Sequence, residues 1–182
     1  LCTHSEGLEK VTYRNVPFSM MIPVLHEHES LHNEVRALCE EKLGNLWVGV
    51  KDGMLRLYDV RRTYKGYLTE NGTVSTTGTP MRGTAYFVIQ DSKGIIWIAT
   101  KGDGLIRAES TSPDGMSYRL TRYRHQEDDM YSLSDNNVYC VYEDHHGRIW
   151  VATFGGGINY ITEDKDRKPL FINHRNNLKG SP

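Results

Sequence analysis

Three tryptophans, Trp47, Trp97 and Trp150, lie 50 and 53 residues apart, and they are all the tryptophans the 182-residue chain has. Each is preceded at three residues by a glycine (Gly44, Gly94, Gly147), and each glycine at three residues by an acid (Glu41, Asp91, Asp144). The shared string is acid-x-x-Gly-x-x-Trp. Further glycines, Gly53, Gly104 and Gly157, follow six or seven residues after each Trp, and the residues around the Trp match in polarity: Leu46-Trp47-Val48, Ile96-Trp97-Ile98, Ile149-Trp150-Val151. Self-similarity at this period restricts the chain to an array of one supersecondary unit, each copy burying its apolar face against the next.

Local chemistry identifies the unit. An acid at the first position of a turn accepts hydrogen bonds from backbone amides just downstream, and Gly at the fourth tolerates the positive φ of many hairpin loops. Acid-x-x-Gly therefore joins two antiparallel strands. The first strand is expected at 35–40, 85–90 and 138–143, and the second holds the Trp, whose ring is large enough to fill the gap between neighbouring sheets. Glycines in Lys51-Asp52-Gly53, Lys101-Gly102-Asp103-Gly104 and Phe154-Gly155-Gly156-Gly157 mark a second hairpin into strands at 54–58, 105–108 and 158–161. Fourth strands are expected at 64–69, 117–124 and 169–174, with a similar segment at 10–16 before the first unit. Four antiparallel strands in about fifty residues is the content of a propeller blade.

One window argues otherwise. Residues 30–43 space Leu31, Val35 and Leu38 at helical intervals. The gap-free alignment of 34–43 with the two later copies overrules a helix there, because those copies read as strand and turn. The expected fold is therefore all-β: about three four-stranded antiparallel blades of a partial propeller. Residues 1–33 would hold the outer strand of a preceding blade and a lead-in, 34–69, 70–124 and 125–175 the three blades, and 176–182 the start of a further unit. Propellers close with about four to eight blades, so three are expected to be part of a larger ring, and an arc of three is expected to self-associate through its uncovered faces.

Composition narrows the partners. With 22 Lys+Arg against 23 Asp+Glu, the chain lacks the basic surplus of a nucleic-acid binder. No apolar run approaches the roughly 20 residues of a membrane span, and mean hydropathy is −0.56. Cys2, Cys39 and Cys140 form no C-x-x-C pair and support neither a zinc site nor a disulfide framework. The chain begins at Leu1 and has no basic-then-apolar start, so an export signal is expected to lie outside it.

The repeat resembles that of the two-component regulator propellers, whose units run roughly SL-x-x-N-x-V, strand, E-D-x-x-G-x-I-W-V-A-T, G-G-G-I, strand. The third unit is nearest, with SLSDNNV at 132–138 and YEDHHGRIWVATFGGGINY at 142–160. The first keeps SLHNEV at 30–35, one residue shorter and with Glu41 in place of Asp. In the second, 78–83 replaces the SL lead altogether. This resemblance implies a piece of the periplasmic sensor of a hybrid two-component histidine kinase, anchored in the inner membrane in its parent. It implies detection of glycan fragments and signalling to a cytoplasmic kinase outside these residues, with no enzyme activity and no cofactor in the segment itself.

Candidate site residues follow from the shared face of the loops. Turns between second and third strands lie at the same end as the lead-ins to the first strands. Lys51, Asp52, Arg82, Lys101, Asp103 and Phe154 are therefore the expected contacts for an oligosaccharide or other small ligand: charged groups bond hydroxyls, and Phe stacks on a sugar ring. The competing readings are weaker. The acid-x-x-Gly-x-x-Trp string resembles the Ser-x-Asp-x-Gly-x-x-Trp box of sialidase-type propellers, but its spacing differs and its role is structural. Phe154-Gly155-Gly156-Gly157 lacks the following helix of a phosphate loop. His26, His28 and His32 could hold a metal only if a loop folded back on itself, and His145-His146 reads as an exposed turn. Cys39 and Cys140 read as packing residues. The enzyme alternative, a propeller lyase, requires a His on the binding face, for which His32 is the candidate; a protein-interaction scaffold is the remaining alternative.

Overall fold

The computed structural model describes residues 2–3, 7–10, 19–21, 23 and 33–176. Its elements are all strands, with no α-helix among the described residues. A three-stranded sheet comes first, β1 (Cys2–Thr3), β2 (Gly7–Lys10) and β3 (Ser19–Met21). Three consecutive antiparallel blades follow. Blade 1 is β4 (Val35–Glu40), β5 (Leu46–Val50), β6 (Leu55–Tyr58), β7 (Tyr64–Leu68) and β8 (Val74–Ser75); blade 2 is β9 (Thr84–Gln90), β10 (Ile96–Lys101), β11 (Leu105–Ser110) and β12 (Tyr118–Tyr123). Blade 3 is β13 (Val138–Glu143), β14 (Ile149–Thr153), β15 (Gly157–Glu163) and β16 (Pro169–Ile172).

Each blade is a meander of neighbouring strands paired in sequence order, and the innermost strands β4, β9 and β13 lie side by side. The residues with helical spacing, from 35 to 40, form strand β4. Tertiary pairing with β5 wins over local propensity, as expected when a β-ladder can satisfy every backbone group. The expected strand at 10–16 falls mostly outside the described residues, of which Lys10 ends β2.

Two apolar layers hold the blades face to face. Between blades 1 and 2, Trp47, Leu57 and Leu68 pack with Val88, Ile96, Ile98, Ile106 and Tyr118. Between blades 2 and 3, Trp97, Ala99 and Leu105 pack with Leu133, Val138, Val141, Val151 and Phe171. The first two Trp rings project toward the following blade: Trp47 meets Tyr118 edge-on at 5.6 Å, and Trp97 joins the layer shared with β13, β14 and β16. Burying a ring of this size contributes on the order of 3 kcal/mol. Blade 1 adds a fifth strand that the fourfold pattern does not predict. Gly66, at φ +138°, admits it, since a Cβ there would lie 2.5 Å from the Ser75 carbonyl carbon.

Candidate functional site

Every blade has two dissimilar ends. At one end lie the acid-x-x-Gly turns between the first and second strands. In blade 2, Asp91 Oδ1 accepts the amides of Lys93 (2.9 Å) and Ile95 (2.8 Å), while Oδ2 accepts the indole N–H of Trp97 at 2.8 Å. Gly94 sits at φ +85° and donates its amide to the Asp91 carbonyl. Asp144 repeats the arrangement with His146, Arg148 and the Trp150 indole, again at 2.8 Å. The bond from the Trp150 indole, backed by the Arg148 and His146 donors, holds its carboxyl well below the usual range. The spacing of acid and Trp therefore has a cause beyond turn and filler, because one carboxylate closes the turn and orients the ring that packs the next blade.

Blade 1 departs at this point. Glu41 is one methylene longer, and its Oε1 takes Asn45 Nδ2 at 2.5 Å. The Trp47 indole remains close enough for the carboxylate to feel it, yet its buried N–H has no partner at hydrogen-bond geometry. Burial pushes the Glu41 carboxyl up, where Asp144 is held down.

These turns also clasp neighbouring blades. Lys42, which follows Glu41, donates its amide to Gln90 Oε1 at 2.7 Å, and Ser92, which follows Asp91, donates to Glu143 Oε2 at 2.7 Å. The residue after each acid thus bonds the residue before the next unit's acid. All of this chemistry is internal to the fold.

At the opposite end are the starts of the inner strands and the turns between second and third strands. Here Lys51, Lys101 and Phe154 occupy equivalent positions of the three blades, directly after or at the end of β5, β10 and β14. Lys51 Nζ pairs with Glu34 Oε2 at 2.8 Å, and Phe154 is 67% exposed. Asp52 and Asp103 serve the fold. Asp52 takes Arg56 through both oxygens at 3.1 and 2.5 Å, and Asp103 is buried against Arg124 and Arg122. Asp52 is thereby occupied, and Asp103 Oδ2, which takes no hydrogen bond, is buried away from the surface. Gly104 beside Asp103 explains the tightness of that turn, since a Cβ there would lie 2.1 Å from the Tyr123 carbonyl oxygen. Arg82 is exposed, lies beside Glu70 and takes no part in the inner row.

Sequence reasoning missed the row at the inner strands. Pairing of β4, β9 and β13 slips by one residue near the start of each strand, at Arg36, Tyr86 and Tyr139. A bulge re-aims the extra side chain, and these three form a continuous shelf with Phe154. The Arg36 guanidinium lies over the Tyr86 ring at 4.9 Å, Tyr86 meets Tyr139 at 5.1 Å, and Tyr139 meets Phe154 at 5.7 Å. A cleft of about 290 Å³ lies against Glu34, Val35, Arg36, Tyr86 and Tyr139. The signal available in sequence was the triple alignment of Arg36, Tyr86 and Tyr139 between apolar neighbours, where alternation alone expects a strand residue of no special role.

The remaining candidates fall elsewhere. His26, His28 and His32 lie outside the described residues, and among the described residues no group of His, Cys, Asp and Glu could hold a metal ion. His145 and His146 are exposed in their turn. Cys39 and Cys140 are half-buried on β4 and β13 with thiols pushed up by burial, as packing residues are. The SL-x-x-N-x-V lead is structural: Leu133 is fully buried, and the Asn136 carbonyl accepts the amides of Gly102 and Gly104 from blade 2.

Comparisons with known proteins agree with this architecture. Residues 132–155 match the family model described as two component regulator propeller. Histidine kinase P4 of Formosa agariphila is 28% identical over 128 residues, which is 69% of this chain and 9% of that protein. Among solved structures, the extracellular domain of the putative one component system BT4673 from B. thetaiotaomicron superposes with a TM-score of 0.63 at 18% identity, over 93% of this chain and 24% of that one. That of the putative hybrid two component system BT3049 from the same organism gives 0.57 at 21%, over 87% and 18%. The chain thus spans less than a quarter of the length of each of these three relatives. The turn chemistry and the fold agree with this: the unit at 132–155 is a two component regulator propeller repeat, and the chain as a whole shares the fold of these extracellular domains.

Proposed function

We propose that this chain is a ligand-sensing segment of the extracytoplasmic propeller of a two-component sensor, and that it binds glycan fragments. The observation that carries the reading is the shelf of Arg36, Tyr86, Tyr139 and Phe154 at the variable end of the blades. Partly exposed aromatic rings beside charged donors are what sugar recognition needs: the apolar face of a pyranose stacks on a ring while its hydroxyls bond the rim. Tyr139 at 46% exposure and Phe154 at 67% are costly to leave in water without such a use. The similarity to extracellular domains supports an extracytoplasmic setting, and no helix among the described residues is long and apolar enough to cross a membrane. In this reading the kinase output belongs to the parent protein, and the segment acts by binding, without catalysis or a cofactor. The remaining blades of the parent complete the ring.

Thermal-shift titration of the chain against a panel of neutral and acidic oligosaccharides tests the reading. A rise in melting temperature with at least one class is expected, abolished in Tyr139→Ala/Phe154→Ala. Stabilisation that survives the double variant would place binding elsewhere and reject the shelf.

A further inference from the structure

We infer that the glycan this shelf binds is acidic, carrying a carboxylate or sulfate that seats at its blade 1 end; the inference rests on the saccharide reading above and narrows its chemistry. The argument is a balance of donors and acceptors. A sugar hydroxyl both donates and accepts, and sites for neutral sugars therefore present acceptors as well as donors. At the blade 1 and blade 2 part of this end the carboxylates are ion-paired or buried. Glu34, whose side chain is 4% exposed, holds both Arg36 and Lys51. Asp52 is occupied bidentately by Arg56, and Asp103 is shared by Arg122 and Arg124.

The donors are in excess. Arg36 and Lys51 share one carboxylate, Lys51 is 42% exposed, and exposed Lys101 stands at the equivalent position of blade 2 with no ion pair among the described residues. A rim of donors with spent acceptors favours a group that only accepts, and a carboxylate or sulfate is such a group. The Arg36 guanidinium is held over Tyr86, so an anion paired with it would lie one ring from the stacking surface of Tyr139 and Phe154. That order, cation then aromatic, fits a sugar ring bearing its charge at one edge.

Isothermal titration of the full chain with trigalacturonate, a sulfated disaccharide and neutral galactotriose separates the cases. Binding of the carboxylate or the sulfate probe at least about tenfold tighter than the neutral one is expected, weakening with salt; the two acidic arms distinguish which anion is preferred. Arg36→Gln should lower the acidic affinity about tenfold. Lys101→Gln, at an exposed position that the fold does not use, should lower it less and serves if Arg36→Gln fails to fold. Equal affinity for the neutral probe, or acidic binding unchanged in both variants, overturns the acidic assignment while leaving saccharide sensing intact. Absence of binding by all three probes to a folded chain overturns both.

Discussion

The two ends of the blades obey different rules. At the turn end, acid, glycine and tryptophan recur in all three units and the acids of blades 2 and 3 are spent inside the fold: Asp91 and Asp144 each bond two amides and an indole, and Lys42 and Ser92 reach across to Gln90 and Glu143. At the bulge end, equivalent positions carry Arg36, Tyr86 and Tyr139 in one row and Lys51, Lys101 and Phe154 in the other. The backbone is the same, yet the side chains change from cation to aromatic. A repeat protein can vary only what does not hold its units together, so constancy marks assembly and variation marks the surface left free for other uses, the one to which binding is assigned in the proposal above.

The largest effect that could break this contrast is Asp91→Ala. It orphans the Trp97 indole and two amides in a buried turn, and should cost about 2–4 kcal/mol in urea unfolding, against less than about 0.5 for Lys101→Ala at the other end. Similar losses at both ends would erase the distinction. Next comes the uncovered sheet face. The rings of Trp47 and Trp97 are buried by the following blade, whereas Trp150 is only half-buried beside Tyr160, with Tyr142 and Ile158 exposed. The chain should therefore pair with a second copy through this face, and Ile158→Lys should return it to monomer by light scattering; a concentrated wild-type monomer would show the face to be self-sufficient.

A smaller effect sharpens the exception within the turn end. Glu41→Asp shortens the acid to the length used in the other two units and should give the Trp47 indole its missing acceptor, raising stability by about 1 kcal/mol. No gain would mean that Asn45 holds the turn in a different geometry. The smallest effect is in pH. Asp144, lowered from 3.8, binds protons less readily folded than unfolded, so its contribution is present above that value and is lost as pH falls below it. Glu41, raised from 4.5, works in the opposite sense: its contribution is present below that value and lost as pH rises through its folded pKa. Asp144→Asn should flatten the acid limb of stability and Glu41→Gln should steepen it, as followed by melting temperature between about pH 2 and 6.

Most of the architecture was legible because the repeat supplies three readings of each position. Strands β4 and β13 fall where the alignment puts them, and β4 does so against a helical pattern from Leu31 to Leu38. The candidate site was legible only in part. Lys51, Lys101 and Phe154 follow from loop placement, but Asp52 and Asp103 do not serve the surface, since their Arg partners lie on the next strand or on β12 and its end, and spacing alone does not show who neutralises whom. The Arg36–Tyr86–Tyr139 row escaped because a bulge inverts the in–out alternation at one residue, and alternation is what a strand is read by. The fifth strand escaped for a related reason: Gly66 reads as a weak strand residue until Ser75 is seen against it.

The central claim, that one end builds and the other binds, is tested most directly by amide and indole nuclear magnetic resonance of the chain titrated with trigalacturonate. The account predicts shifts at Arg36, Lys51, Tyr86, Lys101, Tyr139 and Phe154, with the three tryptophan indole signals unmoved. Shifts centred on the indoles and the turns of Glu41, Asp91 and Asp144, with the bulge residues silent, would contradict it.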